Sequence, residues 1–445
     1  MQASCRQHEV RHARPSFRPF RSPRSRRRRR AGASSLVSEA RAYEPKRDES
    51  TAVYEEVWRI VRDKFYDPKL KGLNWQAMGD KHRDAYAEAR SDAQRSAAIN
   101  ALLGELRASH THHYTKDETA YYELVDIFAY PLRREIPKHF AGGNVRYAGV
   151  GMFTRDIGGK TFVTATFPDQ PAARAGLLAG DEIVSAAGAP FQQIASFRGK
   201  IGEKVTLKVR RKAGGEVQDI VVEPQWIEPG ETFEAALRDS ARIIEANGKR
   251  IGYVRVWSYA GNEYQNQLEA VLSEGKLKDA DAVIWDLRDG WGGAHPRYLS
   301  VFNTYARRWL SPAAMRNASC RLSLGQARRH AYQRRHALGQ GSARLWLQEE
   351  RLRQVVGERT AGALLAGTAF LLSDGSLLIL AVEDAAVDGE RIEGIGVAPT
   401  IGCRSTFAMP PARIPNSTAP SPCWRTAPDP YGITSASISA AARRR

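Results

Sequence analysis

The chain is short of cysteine, of long apolar runs and, in its most basic stretches, of lysine. Four cysteines occur in 445 residues (Cys5, Cys320, Cys403 and Cys423), and their spacing shows neither a metal-binding nor a disulfide framework. No apolar run reaches the ~18 residues that a membrane-spanning helix needs. The Arg-rich start, which ends in Arg26 to Arg30, has no apolar core of the kind a secretory signal carries. Residues 1–30, 304–347 and 402–445 hold 11, 9 and 6 arginines, no lysine, and only Glu9 and Asp429 as acids. They carry more than the whole net charge of +18, and all four cysteines as well. What remains is a cysteine-free, mildly acidic globular chain, long enough for two or three domains. A charge of +18 invites a nucleic-acid reading, but its confinement to three segments makes nucleic acid the lesser expectation. Residues 1–49 read as a basic tail without fixed structure.

Residues 50–142 read as a helical domain. Ser50 or Thr51 can cap a first helix, and Glu55 and Glu56 sit in its first turn, where the helix dipole favours them. Val53, Val57, Ile60, Val61 and Phe65 recur at helical spacing. A second helix runs through Ser96 to Leu103 and gives way to Ser109-His110-Thr111-His112-His113. Three histidines in four residues suggest a metal, yet no carboxylate stands beside them, so a solvated loop is the commoner reading. No metal and no cofactor are expected.

Residues 143–225 read as a small β module. Phe162 to Thr166 and Val205 to Val209 alternate like strands. Between them, Pro171 to Ile183 reads as a short helix, a glycine turn and a strand start. From 226 to 401 strand and helix patterns alternate, which implies a mostly parallel sheet. Arg250 to Val256 is a strand, Tyr264 to Leu277 a helix, and Ala280 to Trp285 a buried strand. That strand ends in Asp286-Leu287-Arg288-Asp289-Gly290-Trp291-Gly292-Gly293. Three glycines in four positions mean backbone that turns sharply or comes close to something. Free N–H groups on such a loop can face a developing negative charge, and a plain tight turn is the bland alternative.

This loop resembles the D-L-R-x-N-x-G-G signature of the C-terminal processing (tail-specific) serine peptidases, with Gly290 where the family has Asn. Val355 to Gly362, with its G-E-R-T-A-G run, and Glu393-Gly394-Ile395-Gly396-Val397-Ala398-Pro399 are similar to two further motifs of that family. Residues 143–225 resemble a PDZ domain, with Gly149-Val150-Gly151 in the place of its carboxylate-binding loop. The resemblance implies a multidomain α/β protein: an N-terminal helical domain, a PDZ-like β domain and an α/β catalytic core with a mostly parallel sheet. It implies a serine endopeptidase acting on unfolded proteins or peptides captured by their C-termini, in a periplasmic or secreted setting. Ser109-His110 resembles the Ser-His pair of the tricorn-type branch, in which His is the general base. Ser109, His110 and Glu393 would then be catalytic, Gly292 and Gly293 the oxyanion hole, and Gly149, Val150 and Gly151 the peptide-binding loop.

The nucleophile departs from the family. Spacing counted back from Ala363, which stands where the Ser-Lys branch has its lysine, puts the serine at Leu338. Permitted codons for His336 to Gly341, read one base later, spell Thr-Arg-Ser-Gly-Lys-Glu, which looks like the nucleophile motif of the tricorn branch. We therefore read about 304–354 and 402–445 as translated out of frame. Misread GC-rich codons account for their Arg-rich, Lys-free composition. The expectation is a chain of peptidase lineage that is inactive as written. The alternatives are a non-catalytic peptide-binding PDZ protein or, less well supported, an Arg-rich nucleic-acid binder.

Overall fold

The computed structural model describes residues 51–292, 329–331, 354–386, 391 and 393–403. The expected basic tail at 1–49, Leu338 and residues 404–445 lie outside these, so the readings made for them are not reached.

The N-terminal part is built from α1 (Ala52–Lys64), α2 (Trp75–Ala87) and α3 (Asp92–Gly104). In α1, Tyr54, Val57, Trp58 and Val61 are buried, the i, i+3, i+4, i+7 stripe of a half-buried helix. Thr51 stands at the N-cap but makes no side-chain capping bond, and Ser50, the other expected cap, lies outside the described residues. The first turn is tied instead by an ion pair between Glu55 and Arg83 of α2. Trp58 and Trp75 each donate an indole N–H to the other's carbonyl, at 3.0 and 3.1 Å. Gly79 is required there, because a Cβ at that position would sit 2.5 Å from the Trp58 indole.

After α3 the chain does not enter a solvated loop. Residues His112–Tyr114 form β1. Then follow α4 (Thr119–Ile127), α5 (Ala129–Leu132) and α6 (Ile136–His139). Strand β1 lies antiparallel to the C-terminal hairpin described below. His113 is buried because it completes a polar chain through the interior: its Nδ1 meets Ser96 Oγ at 2.8 Å and its Nε2 meets Ser376 Oγ at 2.8 Å. Ser376 Oγ in turn donates to Asp374 at 2.6 Å. Ser96, His113 and Ser376 thus satisfy one another where water is excluded, and the exposed Asp374 ends the chain at the surface.

The β module follows. It comprises β2 (Tyr147–Gly149), β3 (Met152–Ile157), β4 (Lys160–Thr166), α7 (Pro171–Arg174), β5 (Glu182–Ala186), β6 (Val205–Arg210), β7 (Val217–Val222) and β8 (Gln225–Ile227). Strands β3 to β7 make one antiparallel sheet in sequential order, and β2 pairs with β8. Val163, Leu177, Ile183, Leu207 and Val209 fill its core. Strand β3 is an outer edge of the sheet.

The last part holds α8 (Pro229–Ser240), β9 (Arg242–Ala246), β10 (Lys249–Arg255), α9 (Asn262–Ser273) and β11 (Ala282–Asp286). It continues with β12 (Arg329–Ala331), β13 (Gln354–Gly357), β14 (Ala366–Leu371), β15 (Leu377–Glu383) and β16 (Ile401–Gly402). The six-stranded sheet runs β16-β13-β12-β11-β10-β9. Every pairing in it is parallel except the β9–β10 hairpin, as the alternating pattern implies. Leu237, Leu268, Leu272, Val254, Val283 and Trp285 form the core between this sheet and α8 and α9. Residues 329–331, within the stretch read as out of frame, form the short strand between β11 and β13. A ladder is made by backbone groups, so a short strand places little demand on side-chain pattern. Cys403 is disulfide-bonded, although cysteine spacing gave no sign of a framework.

The β14–β15 hairpin does not join the parallel sheet. Leu365, Leu372, Leu378 and Leu380 pack with Tyr54, Val57, Leu102 and Leu103 of the N-terminal helices. The order of the sheet is β1-β15-β14. The first and last parts of the described chain therefore share one core.

Replacing His113 by Ala would open a cavity and strip Ser96 and Ser376 of a buried partner. We expect His113→Ala to lose ~2–4 kcal/mol in urea denaturation. Burial also depresses the His113 pKa to about 4. The stability linked to its neutral form is therefore present above the ordinary value of 6.5 and lost as pH falls through about 4. An unchanged midpoint in the variant would count against the polar chain as a structural element.

Candidate active site

Strand β11 delivers Asp286 to the end of the parallel sheet, fully buried. Burial works against its ionised form, but the neighbouring Arg288 and Arg255 prevail and bring its pKa down to about 2. Its carboxylate accepts the Tyr253 hydroxyl at 2.7 Å, the Arg288 backbone N–H at 3.0 Å and the Arg288 side chain at 2.5–2.9 Å. A paired charge of this kind is costly to break, and it fixes where the loop begins. The left-handed position in the loop is Asp289, with φ 54°. Gly290 and Gly292 keep φ outside that region. Asp289 takes the strain because Asp tolerates this conformation and because Arg155 of β3 reaches it at 3.2 Å.

Trp291 locks the next step. Its backbone N–H donates to Trp257 O at 2.8 Å, and its carbonyl accepts the Tyr259 N–H at 3.2 Å. Its indole N–H donates to Glu123 of α4 at 2.6 Å. The ring lies between the Phe153, Phe167, Phe233 and Trp257 cluster and the Tyr121, Leu124 and Ala369 cluster. Gly292 is buried at the end of the described loop. Gly293, its expected companion in an oxyanion hole, lies outside the described residues.

The expected catalytic trio comes together. Ser109 and His110 precede β1, and Glu393 arrives from 284 residues further along the chain. Ser109 donates its backbone N–H to Glu393 Oε1 at 2.9 Å and its hydroxyl to Oε2 at 2.8 Å. Glu393 Oε2 also accepts the Leu364 N–H at 2.7 Å and the Leu365 N–H at 3.3 Å. Burial opposes its ionisation, but these backbone and side-chain donors hold its pKa below the usual value. Because the Ser109 hydroxyl gives its hydrogen to the carboxylate, its oxygen is left to accept. It lies 3.1 Å from His110 Nδ1. This assigns the proton to Nδ1 and leaves the Nε2 lone pair free to act as a base. Burial lowers the His110 pKa to about 4, against the pull of Glu393, so the ring is neutral near pH 7. His110 has φ 54°, and Gly367 leaves the space beside it, since a Cβ there would meet His110 Cβ at 3.0 Å.

The expected run around Thr360 and the run after Glu393 bind each other. Gly394 N–H donates to Gly362 O at 2.7 Å, and Val397 N–H donates to the Thr360 hydroxyl at 2.7 Å. The loop 149–151 lies apart from the trio, at the start of β3. Gly151 has φ 71°, and a Cβ there would overlap Gln170. The carbonyls of Val150 and Gly151 are taken by the N–H groups of Ala172 and Phe167, at 2.8 and 3.0 Å. A small groove beside this loop is lined by Met152, Thr154, Phe191, Gln193 and Phe197. Among the described residues there is no cluster of three or more metal-ligating side chains, and no helix long and apolar enough to cross a membrane.

Sequence reasoning missed Glu123, Arg155 and Gln193. Glu123 carried a signal, as a lone acid within the apolar run Tyr121-Tyr122-Glu123-Leu124-Val125. It is buried, its Oε1 has no hydrogen-bond partner, and burial pushes its pKa up to about 7 despite the Trp291 donor. Tyr114 and Tyr147 are the titratable groups that face it. A carboxyl with a raised pKa contributes stability that is complete below its unfolded value near 4.5 and lost as pH rises through about 7. Glu123→Gln keeps an acceptor for Trp291 without the charge. The stability gap between variant and wild type should therefore widen from pH 4.5 to pH 8, by on the order of 3 kcal/mol. A gap that stays flat with pH would show that Glu123 is already ionised in the folded chain.

Residues 46–104 match the family model of the tricorn protease C1 domain, and residues 162–211 match that of a PDZ domain. The probable CtpA-like serine protease of Staphylococcus epidermidis (strain ATCC 12228 / FDA PCI 1200) is 22% identical over 342 residues, which are 72% of this chain and 62% of its own. The corresponding protein of Staphylococcus aureus (strain MRSA252) is 22% identical over 383 residues, 79% of this chain and 70% of its own. The chain thus spans less than two thirds of the Staphylococcus epidermidis relative. Among solved structures, the photosystem II D1 C-terminal processing protease aligns with a TM-score of 0.46 and 19% identity, over 80% of this chain and 94% of that one. The tricorn protease aligns with a TM-score of 0.42 and 16% identity, over 81% of this chain and 34% of that one. The chain is thus similar to tricorn C1 and PDZ domains over those two stretches, and to CtpA-like serine proteases over most of its length.

Proposed function

We propose that the chain descends from a serine endopeptidase of the C-terminal processing type, which captured unfolded proteins or peptides by their C-termini. The observation that carries this is the Glu393–Ser109–His110 relay. In the proposed chemistry, His110 Nε2 takes the proton of a serine hydroxyl as it attacks a peptide carbonyl. The resulting imidazolium is stabilised through Ser109 by the Glu393 charge. The low pKa of His110 fits this role, since a base must be unprotonated at the working pH. Gly292 and Gly293 would supply N–H donors to the oxyanion, at the end of a loop held rigid by Asp286 and Trp291. A periplasmic or secreted setting is part of the same proposal. So is inactivity as written, because Leu338 stands where the serine is expected. A second reading, a peptide-binding protein without catalysis, is favoured by the same leucine together with an intact groove at Gly149-Val150-Gly151.

Two measurements separate these readings. Leu338→Ser alone should not restore cleavage of an unfolded substrate, because a nucleophile must be held within ~2.6–3.2 Å of its base by its surrounding segment. Restoring the reading frame across about 304–354 should bring activity back, and His110→Ala in that restored chain should abolish it. Robust cleavage by the chain as written, or by the single Leu338→Ser variant, would overturn the proposal. For the groove, the full chain should bind a short peptide with a free C-terminal carboxylate and not its amidated form, as expected when backbone N–H groups capture the carboxylate. Equal binding of the two would count against Gly149, Val150 and Gly151 as the capture loop.

A further inference from the structure

The groove along β3 is already occupied by a side chain of the protein itself. An incoming peptide would add a strand to the exposed edge of the sheet and needs the outward backbone groups of β3. The carbonyl of Thr154 is one of these, because it accepts from Gln193 Nε2 at 3.4 Å on the side away from β4. The same Nε2 makes a shorter hydrogen bond to the Thr154 hydroxyl. At its other end, Gln193 Oε1 accepts the hydroxyl of Thr119, at the start of α4, at 3.3 Å. All donors and acceptors of this chain run in one direction, from Thr119 through the Gln193 amide to Thr154.

The segment that carries Gln193 is anchored independently of it. Ile194 is buried with Tyr147 and Ile227, and Phe197 is buried in the core of the β module. Turns between Ile194 and Phe197, and between Phe197 and Lys200, close the backbone. Arg198 adds an ion pair to Asp117. The Gln193 side chain can therefore rotate off β3 without the segment moving.

We propose that Gln193 is a latch on the peptide groove, closed by Thr119, and that a bound C-terminal strand replaces the Gln193 amide at Thr154. The inference rests on the peptide-binding reading of the groove given above. The occupant is a peptide C-terminus. The unpaired edge of β3 and the apolar walls formed by Met152, Phe191 and Phe197 suit an extended segment with an apolar last residue. Opening the latch exchanges the two hydrogen bonds to Thr154 and the one from Thr119 for bonds to the ligand and to water. The closed state is thus a competitor, and it lowers apparent affinity by the fraction of molecules that are open. The latch also sits one helical turn from Glu123 on α4, so Thr119 and Glu123 share a face of that helix. The helix that closes the groove is the one that holds Trp291.

The test uses the full chain as it exists and needs no catalysis. A short fluorescein-labelled peptide with an apolar last residue and a free carboxylate is titrated against wild type, Gln193→Ala and Thr119→Val, with its amidated twin as control. The latch predicts that Gln193→Ala tightens binding about tenfold and Thr119→Val about threefold, from the loss of one or two competing hydrogen bonds. The amidated peptide should stay unbound throughout. If wild type binds the carboxylate peptide and both variants bind it equally or more weakly, the latch is wrong and the peptide-binding reading stands. If none of the three binds it, the peptide-binding reading fails and the latch with it. Thr119→Val keeps Gln193 in place, so a gain in that variant cannot come from an enlarged pocket.

Discussion

The Glu393 carboxylate is the point on which the relay depends. It accepts N–H groups from Ser109, Leu364 and Leu365 and the hydroxyl of Ser109. A carboxylate with that many donors is held ionised and immobile. Its position fixes the Ser109 hydroxyl, which fixes the tautomer of His110, which decides that Nε2 is the basic nitrogen. One acid near the end of the described chain thereby sets the chemistry of a histidine near its start. The folding problem this creates is solved by the β14–β15 hairpin, which leaves the parallel sheet and packs into the N-terminal helices. The hairpin brings the strand order β1-β15-β14 with it, and the relay is assembled on that small sheet.

A second constraint acts through α4. Glu123 has one oxygen on the Trp291 indole and the other without a partner, an arrangement that costs stability wherever the acid is charged. Such a group persists in a core when the geometry it imposes is worth more than the burial penalty. Here it holds the ring of the residue between Gly290 and Gly292, and so the direction of the loop that follows β11. Arg155 holds the same loop from the β module through Asp289. The loop is thus gripped from three sides, by the helical part, the β module and the parallel sheet.

Much of this was legible in the sequence, for particular reasons. Helix α1 declared itself by Val57 and Val61, because a half-buried helix must repeat its apolar residues on one face. The parallel sheet was legible from alternating patterns, and β4 and β6 from period-two alternation. The trio Ser109, His110 and Glu393 was reached by resemblance, since nothing in local spacing can reveal a contact across 284 residues. Other features were hidden for equally physical reasons. Strand β1 is three residues long and contains two histidines, and its burial comes from Ser96 and Ser376, which sequence cannot bring beside it. The turn before Trp291 falls on Asp289 and not on a glycine, because ion pairing pays for the strain. Gln193 lies in an irregular segment where no periodicity marks a side chain as important.

The trio meets a general condition on buried polar groups. Such groups are stable only if each has a partner, and Ser109 and Glu393 satisfy this condition here. Among the described residues, Ser109, His110 and Glu393 bond to one another and to the backbone N–H groups of Leu364 and Leu365. Burial keeps His110 neutral with its Nδ1 turned to Ser109, so the geometry of the trio bears on the proposed base and its partner, while the residue at 338 bears separately on whether a nucleophile is present.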